Sequence, residues 1–106
     1  VAETFGAEAQ VNIHRGYPVT MNHGDQTDFA IEVATTVSGR GKVNPDVAPV
    51  MGGEDFSYML EARPGAFIFM GNGDSAFLHH PEYDFNDDAI PHGVSYWVAL
   101  AEKALA

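Results

Sequence analysis

Pro64-Gly65-Ala66-Phe67-Ile68-Phe69-Met70-Gly71, running on through Asn72-Gly73-Asp74-Ser75-Ala76-Phe77-Leu78-His79-His80-Pro81-Glu82-Tyr83-Asp84-Phe85-Asn86-Asp87-Asp88, is the stretch on which the fold class turns. Ala66 to Met70 is an unbroken apolar, aromatic-rich run between two glycines. It is too short for a helix and has the character of a strand buried on both faces. Asn72 to Asp88 carries Gly, Asp, Asn and Pro throughout and reads as loop, and ordered loops of that length tend to serve function. A helix follows from about Pro91, well placed in a first turn, to Leu105, with Val94, Trp97, Val98, Ala101 and Leu105 as its expected inner face. Strand, long loop and helix in that order make an α/β unit, and open α/β sheets bind ligands on the loops beyond their strand ends.

Working back toward the N-terminus, Gly52-Gly53 precedes a short helix expected from Glu54 to Ala62, which Pro64 ends. Val47 to Met51 offers a short strand after a polar connection. Phe29, Ala30, Val33, Ala34 and Val37 form one apolar stripe at helical spacing, predicting a helix over 26–37 capped by Asp25 and released at Ser38-Gly39. Ala9, Val11 and Ile13 alternate with Gln10 and Asn12 as in a half-buried strand, which Tyr17-Pro18 closes. Val1 to Ala7 reads as the end of a helix, with Gly6 its stop signal. The expected fold class is therefore α/β, without the full complement of neighbours that a complete domain would give each element.

Composition bounds the function. Hydrophobic residues make up 45 % of the 106 residues, enough for a packed core, although a fold this small is marginal in stability. Fifteen acidic residues against five basic ones give a formal charge of −10, which repels phosphate backbones and anionic lipids, so neither nucleic acid nor a membrane is expected as a partner. There is no cysteine, which excludes disulfides and thiolate ligands. The chain opens on Val1 rather than Met, as a processed chain or one cut from something longer would. No signal-peptide pattern opens it, and a cytoplasmic location is the expectation.

Chemistry concentrates in two places. His79, His80, Glu82, Asp84, Asp87 and Asp88 share the long loop, and imidazole and carboxylate are the usual ligands of zinc, manganese or nickel. Adjacent histidines diverge in an extended chain, so the same loop also reads as a solvated acidic surface with Asp88 near the helix start. Met51-Gly52-Gly53-Glu54-Asp55-Phe56 is the second place. Its paired glycines let backbone N–H groups approach a ligand, while Glu54 and Asp55 equally suit the first turn of a helix. His14, His23 and His92 are isolated, and no serine or cysteine nucleophile motif, phosphate loop or dinucleotide fingerprint occurs.

Taken together, Arg15-Gly16-Tyr17-Pro18-Val19-Thr20-Met21-Asn22, Met51-Gly52-Gly53-Glu54-Asp55-Phe56-Ser57, Pro64 to Gly71, Leu78-His79-His80-Pro81 and Tyr83-Asp84-Phe85-Asn86-Asp87 resemble one family in order and spacing. It is the dinuclear-metal amidohydrolase family that contains hippurate hydrolase, N-acyl-amino-acid deacetylases and plant auxin-conjugate hydrolases, relatives of aminoacylase and carboxypeptidase G. The resemblance implies the C-terminal part of a zinc-peptidase-like, three-layer α/β/α catalytic domain over residues 22–106. Residues 1–21 would be the last helix and strand of the lid (dimerisation) domain.

The same resemblance implies a metal-dependent amidohydrolase acting on N-acyl amino acids, such as hippurate-like or N-acetyl conjugates, with two divalent ions of zinc, manganese or nickel. His79 matches the last histidine ligand of the family, so this chain supplies at most one ligand. Gly52, Gly53, Glu54 and Asp55 match a segment beside the substrate cleft. Asp84, Asp87 and Asp88 are candidates to hold the second ring nitrogen of His79. No catalytic residue is expected in this segment, because the glutamate general base belongs to the N-terminal half of the family. The implied partners are the remainder of the same enzyme, the small-molecule substrate and, through the lid, a second copy in a homodimer or higher oligomer. Two other readings stand beside this one: a stand-alone binding or interaction module of the same ancestry, without catalysis, and a mononuclear site built by His79, His80 and a loop carboxylate.

Overall fold

The computed structural model describes all 106 residues. Three α-helices form: α1 over Gly24–Ser38, α2 over Phe56–Ala62 and α3 over Ala89–Leu105. Single 3-10 turns lie at Glu3–Phe5 and Arg40–Lys42. Gly6, with φ 69°, ends the first turn through a bond from its N–H to the Glu3 carbonyl, in the place expected for a stop.

α1 follows its apolar stripe. Ala30 and Val33 are buried, and Phe29, Ala34 and Val37 are half-buried beside them. Its start differs from expectation: His23, in extended conformation, is the cap residue, and Asp25 sits inside the first turn, where its charge still favours the helix. Gly39 ends α1 at φ 83° and ψ 148°, a conformation open essentially to glycine alone. α1 and α3 pack against each other. Lys103 of α3 pairs with Glu32 of α1 and lies 5.7 Å from the centre of the Phe29 ring. Because both charged ends are open to water, the ion pair contributes at most about 1 kcal/mol.

The expected face of α3 is corrected. Ala89 and Tyr96 are its buried residues, with Gly93, Ala99 and Leu100 half-buried, whereas Val94, Trp97, Val98, Ala101 and Leu105 are exposed. α3 is apolar on more than one side, and α1 covers the Tyr96 side.

The expected strands do not form in the chain on its own. Residues 9–13, 47–51 and 66–70 are extended but pair with no neighbour, and the chain on its own shows helices and no sheet. A strand exists only through a partner's hydrogen bonds, and no backbone hydrogen bond joins any two of the three. Val11 is 79 % exposed and Ile13 83 %, so the alternation there has no surface to bury against. The 66–70 run comes nearest to being paired. The Asn22 side chain receives the Phe67 N–H at 2.7 Å and donates to the Phe67 carbonyl at 2.8 Å, standing in for one rung of a ladder. Beside it, the His23 N–H donates to the Gly65 carbonyl at 3.0 Å and the Gly65 N–H donates to His23 Nδ1 at 3.2 Å.

α2 stands apart from the other helices and is held by these extended segments. The Phe56 ring meets Phe67 at 5.5 Å, and Phe67 meets Phe69 edge-on at 5.4 Å. The molecule measures 66 × 35 × 20 Å with a radius of gyration of 19.7 Å. A compact chain of this length would have about 13 Å. Much of its apolar surface therefore faces outward.

Candidate functional site

The loop of residues 72–88 brings His79 to the surface on a tight turn. The His80 N–H donates to the Phe77 carbonyl at 3.0 Å, closing a β-turn with His79 in third position. His79 has φ 68°, the one non-glycine residue of the chain with positive φ. Type II turns require that conformation at their third position and usually give it to glycine. A second turn follows, with Pro81 in its second position and the Tyr83 N–H donating to the His80 carbonyl at 3.0 Å. The His80 ring is used by the loop itself, since its Nδ1 accepts the Glu82 N–H at 3.1 Å. The His79 imidazole is exposed and takes no part in the loop's hydrogen bonding.

The other candidates are placed as follows. Asp84, Asp87 and Asp88 lie on the return leg of the loop, exposed, and none of their carboxylates is hydrogen-bonded to His79. Asp84 and Asp87 contribute carbonyls to the local scaffold, accepting from Asn72 and Ile90, while the Asp88 N–H donates to Asn86 Oδ1 at 3.0 Å. No three His, Asp or Glu side chains converge on one point. The donor chemistry suits a divalent ion at one corner only, a single free imidazole, so a complete coordination sphere needs further ligands from elsewhere.

The glycine segment is built to start α2. Glu54 Oε1 accepts the Phe56 N–H at 3.0 Å, and the Glu54 carbonyl accepts the Ser57 hydroxyl at 2.7 Å and the Ser57 N–H at 3.3 Å. Glu54 thus caps the helix that it was expected to open, and α2 begins two residues later than the sequence pattern indicates. Asp55 is exposed, and its carbonyl takes the Tyr58 N–H at 3.1 Å. Gly53 leaves room for Tyr17, since a Cβ there would stand 3.1 Å from the Tyr17 ring; Gly52 has open space around it. Tyr17 in turn meets Tyr58 edge-on at 5.9 Å. In this chain Glu54 and Gly53 thus also shape the start of α2 and the seat of Tyr17.

Four contributors escaped the sequence reading. Ser57 is fully buried, and its hydroxyl is the hinge between Glu54 and α2. Tyr17 explains Gly53. Asn22 and Asn72 each clamp backbone from a distance, which no local pattern reveals; the Asn72-Gly73 dipeptide signals only that a turn begins there. Tyr96 is the one ionisable group clearly displaced, its hydroxyl pushed above the usual tyrosine range by burial.

Against known proteins, a model of peptidase family M20/M25/M40 matches residues 4–103. The hippurate hydrolase of Campylobacter jejuni is 34 % identical over 105 residues, covering 99 % of this chain and 27 % of that protein. An IAA-amino acid hydrolase of Arabidopsis thaliana is 35 % identical over 92 residues (83 % of this chain, 21 % of that protein). The N-acetylcysteine deacetylase of Bacillus subtilis is 31 % identical over 101 residues, or 95 % of this chain and 26 % of that protein. The chain spans about a quarter of the length of the curated relatives it matches. No solved structure matches it at a significant level. With the family model covering nearly every residue, the histidine turn and the Gly-Gly-Glu-Asp segment included, the chain belongs to peptidase family M20/M25/M40.

Proposed function

We propose that the chain is the C-terminal part of a metal-dependent amidohydrolase that cleaves the amide bond of an N-acyl amino acid. The observation that carries this reading is that relatives named for hippurate, for IAA-amino acid and for N-acetylcysteine align with this chain over 83 % or more of its length. All three names describe an acylated or conjugated amino acid. The bare apolar face of α3 and the unpaired extended segments support the same reading, since a larger body would cover the one and pair the other. In that body residues 1–21 would end a lid and 22–106 would complete a three-layer α/β/α domain, with 66–70 as one of its strands.

His79 would hold one of two divalent ions, and its neutral ring suits zinc, manganese or nickel. Such ions supply polarisation of the acyl carbonyl and an activated water. What this chain's own residues do is narrower. The turn presents the His79 imidazole free of internal bonds, and Glu54 with Ser57 fixes the start of α2 beside Gly52 and Gly53, which would lie at the edge of the substrate cleft. Asp84, Asp87 or Asp88 would hold the second nitrogen of the His79 ring once the loop closes on the remainder of the enzyme.

The test is hydrolysis of hippurate and N-acetyl amino acids by the complete polypeptide supplied with zinc, manganese or nickel, alongside its metal content. His79→Ala should lose at least about 100-fold in activity together with bound metal. The 106-residue chain alone should hydrolyse neither substrate. Full activity and metal content in His79→Ala would remove His79 from the site, and turnover by the isolated chain would overturn the reading altogether.

A further inference from the structure

The histidine loop is held shut by one side chain. Asn72 Nδ2 donates to the Asp84 carbonyl at 2.7 Å and to the Ser75 hydroxyl at 3.3 Å, while its Oδ1 accepts the Asn86 N–H at 2.8 Å. These bonds join the entry of the loop to its exit, and His79 lies midway between Asn72 and Asn86 in the chain. The exit is fastened in turn to α3, because Asn86 accepts the Ala89 N–H at its carbonyl and the Asp88 N–H at its side chain. Gly73 makes room for the closure: it has φ 83°, and a Cβ there would stand 3.3 Å from Asn86 Nδ2.

We infer that Asn72 is a positioning residue that sets the His79 imidazole for metal binding by closing the loop around it. The inference rests on the reading of His79 as a ligand. The physical argument is one of entropy. An open loop of this length samples many conformations, and the positive φ of His79 persists only where the surroundings impose it. Two main-chain bonds from one rigid amide impose it from both ends. Asparagine offers a donor and an acceptor on two separate atoms of one short, planar group; aspartate would keep the acceptor for Asn86 and lose the donor for Asp84.

The test compares Asn72→Ala, Asn72→Asp and His79→Ala. NMR of the metal-stripped complete enzyme, labelled at histidine and asparagine, follows the strong intraresidue HN–Hα cross-peak that positive φ gives His79, and the exchange protection of the Asn86 amide. Zinc titrated into the metal-stripped complete enzyme follows affinity, with kcat and KM measured at saturating zinc. Asn72→Ala should weaken the His79 cross-peak, deprotect Asn86 and lower zinc affinity about 10-fold, with KM nearly unchanged. Asn72→Asp should restore Asn86 protection but only part of the zinc affinity, and it keeps the test open if the alanine variant misfolds. A wild-type cross-peak and wild-type zinc affinity in Asn72→Ala would overturn the proposal. Normal zinc binding in His79→Ala would instead sink the ligand assignment. Loss of the His79 geometry in Asn72→Ala would still establish the clamp.

Discussion

Tyr96 and Trp97 are adjacent on α3 and touch edge-on at 5.4 Å, yet Tyr96 is 8 % exposed and Trp97 64 %. They mark two faces of one helix. The Tyr96 face meets α1, whose Val33 is 1 % exposed, and is finished within the chain. The Trp97 face, with Val94, Val98 and Leu105, is apolar too, yet each of these residues is at least half exposed. The contrast extends beyond the helix: α1 and α3 satisfy each other, while Val11, Ile13, Phe69, Met70 and His79 are exposed. Hydrophobic burial depends on a partner surface, so apolar residues without one contribute little stability.

The contrast can be broken by placing the same charge on each face. Val33→Asp puts an unpaired carboxylate between α1 and α3 and should cost more than about 4 kcal/mol, read as the loss of helical circular dichroism relative to the unsubstituted chain. Trp97→Asp removes only the edge-on contact with Tyr96 and should cost the isolated chain less than about 1.5 kcal/mol, but destabilise the proposed complete enzyme as severely as a core substitution. Equal losses at the two positions in the isolated chain would erase the distinction between the faces.

A smaller effect probes the second cluster. Ser57→Ala removes the buried hydroxyl bond to the Glu54 carbonyl, which keeps the Ser57 N–H as a donor. The loss should be roughly 0.5–1.5 kcal/mol, read as a shift of the urea midpoint at constant slope. An unchanged midpoint would show that Glu54 fixes α2 without it.

The smallest effect sharpens the Tyr96 side. Burial raises the Tyr96 hydroxyl above its unfolded value, so the folded state holds that proton more tightly. Its contribution to stability is full below the unfolded value, about pH 10, and is lost as pH rises through the higher folded value. Alkaline titration of stability should show that decline, and Tyr96→Phe should remove it.

The helices were legible because their signals are local. The stripe from Phe29 to Val37 placed α1 within two residues at its start, and Gly39 marked its end. Pro91 and the apolar positions after it revealed α3, although its choice of face was not written there, since Val94, Trp97 and Val98 read as well as Tyr96. The loop of 72–88 was legible from its composition, and His79 from its place in a motif. Glu54 was mistaken for the first residue of a helix that its side chain caps. Asn72 and Asn22 were silent, because an asparagine that bonds backbone 12 or 45 residues away looks like any other polar residue in sequence, and Ser57 because its burial is set by the packing around it.

By itself the sequence determined the helix periods, the glycine stops, the acidic surface and the motifs that place the chain in its family. These rest on neighbours within a few residues, where backbone geometry and side-chain spacing act directly. Only the tertiary structure determined which face of α3 is covered, that the extended runs lack partners, that His80 is engaged while His79 is free, and that Asn72 closes the loop between them. The covered face, the missing strand partners and the Asn72 closure depend on groups far apart in the chain, whose meeting no local pattern fixes; the His80 ring bonds only two residues along, where the turn conformation decides which histidine is engaged.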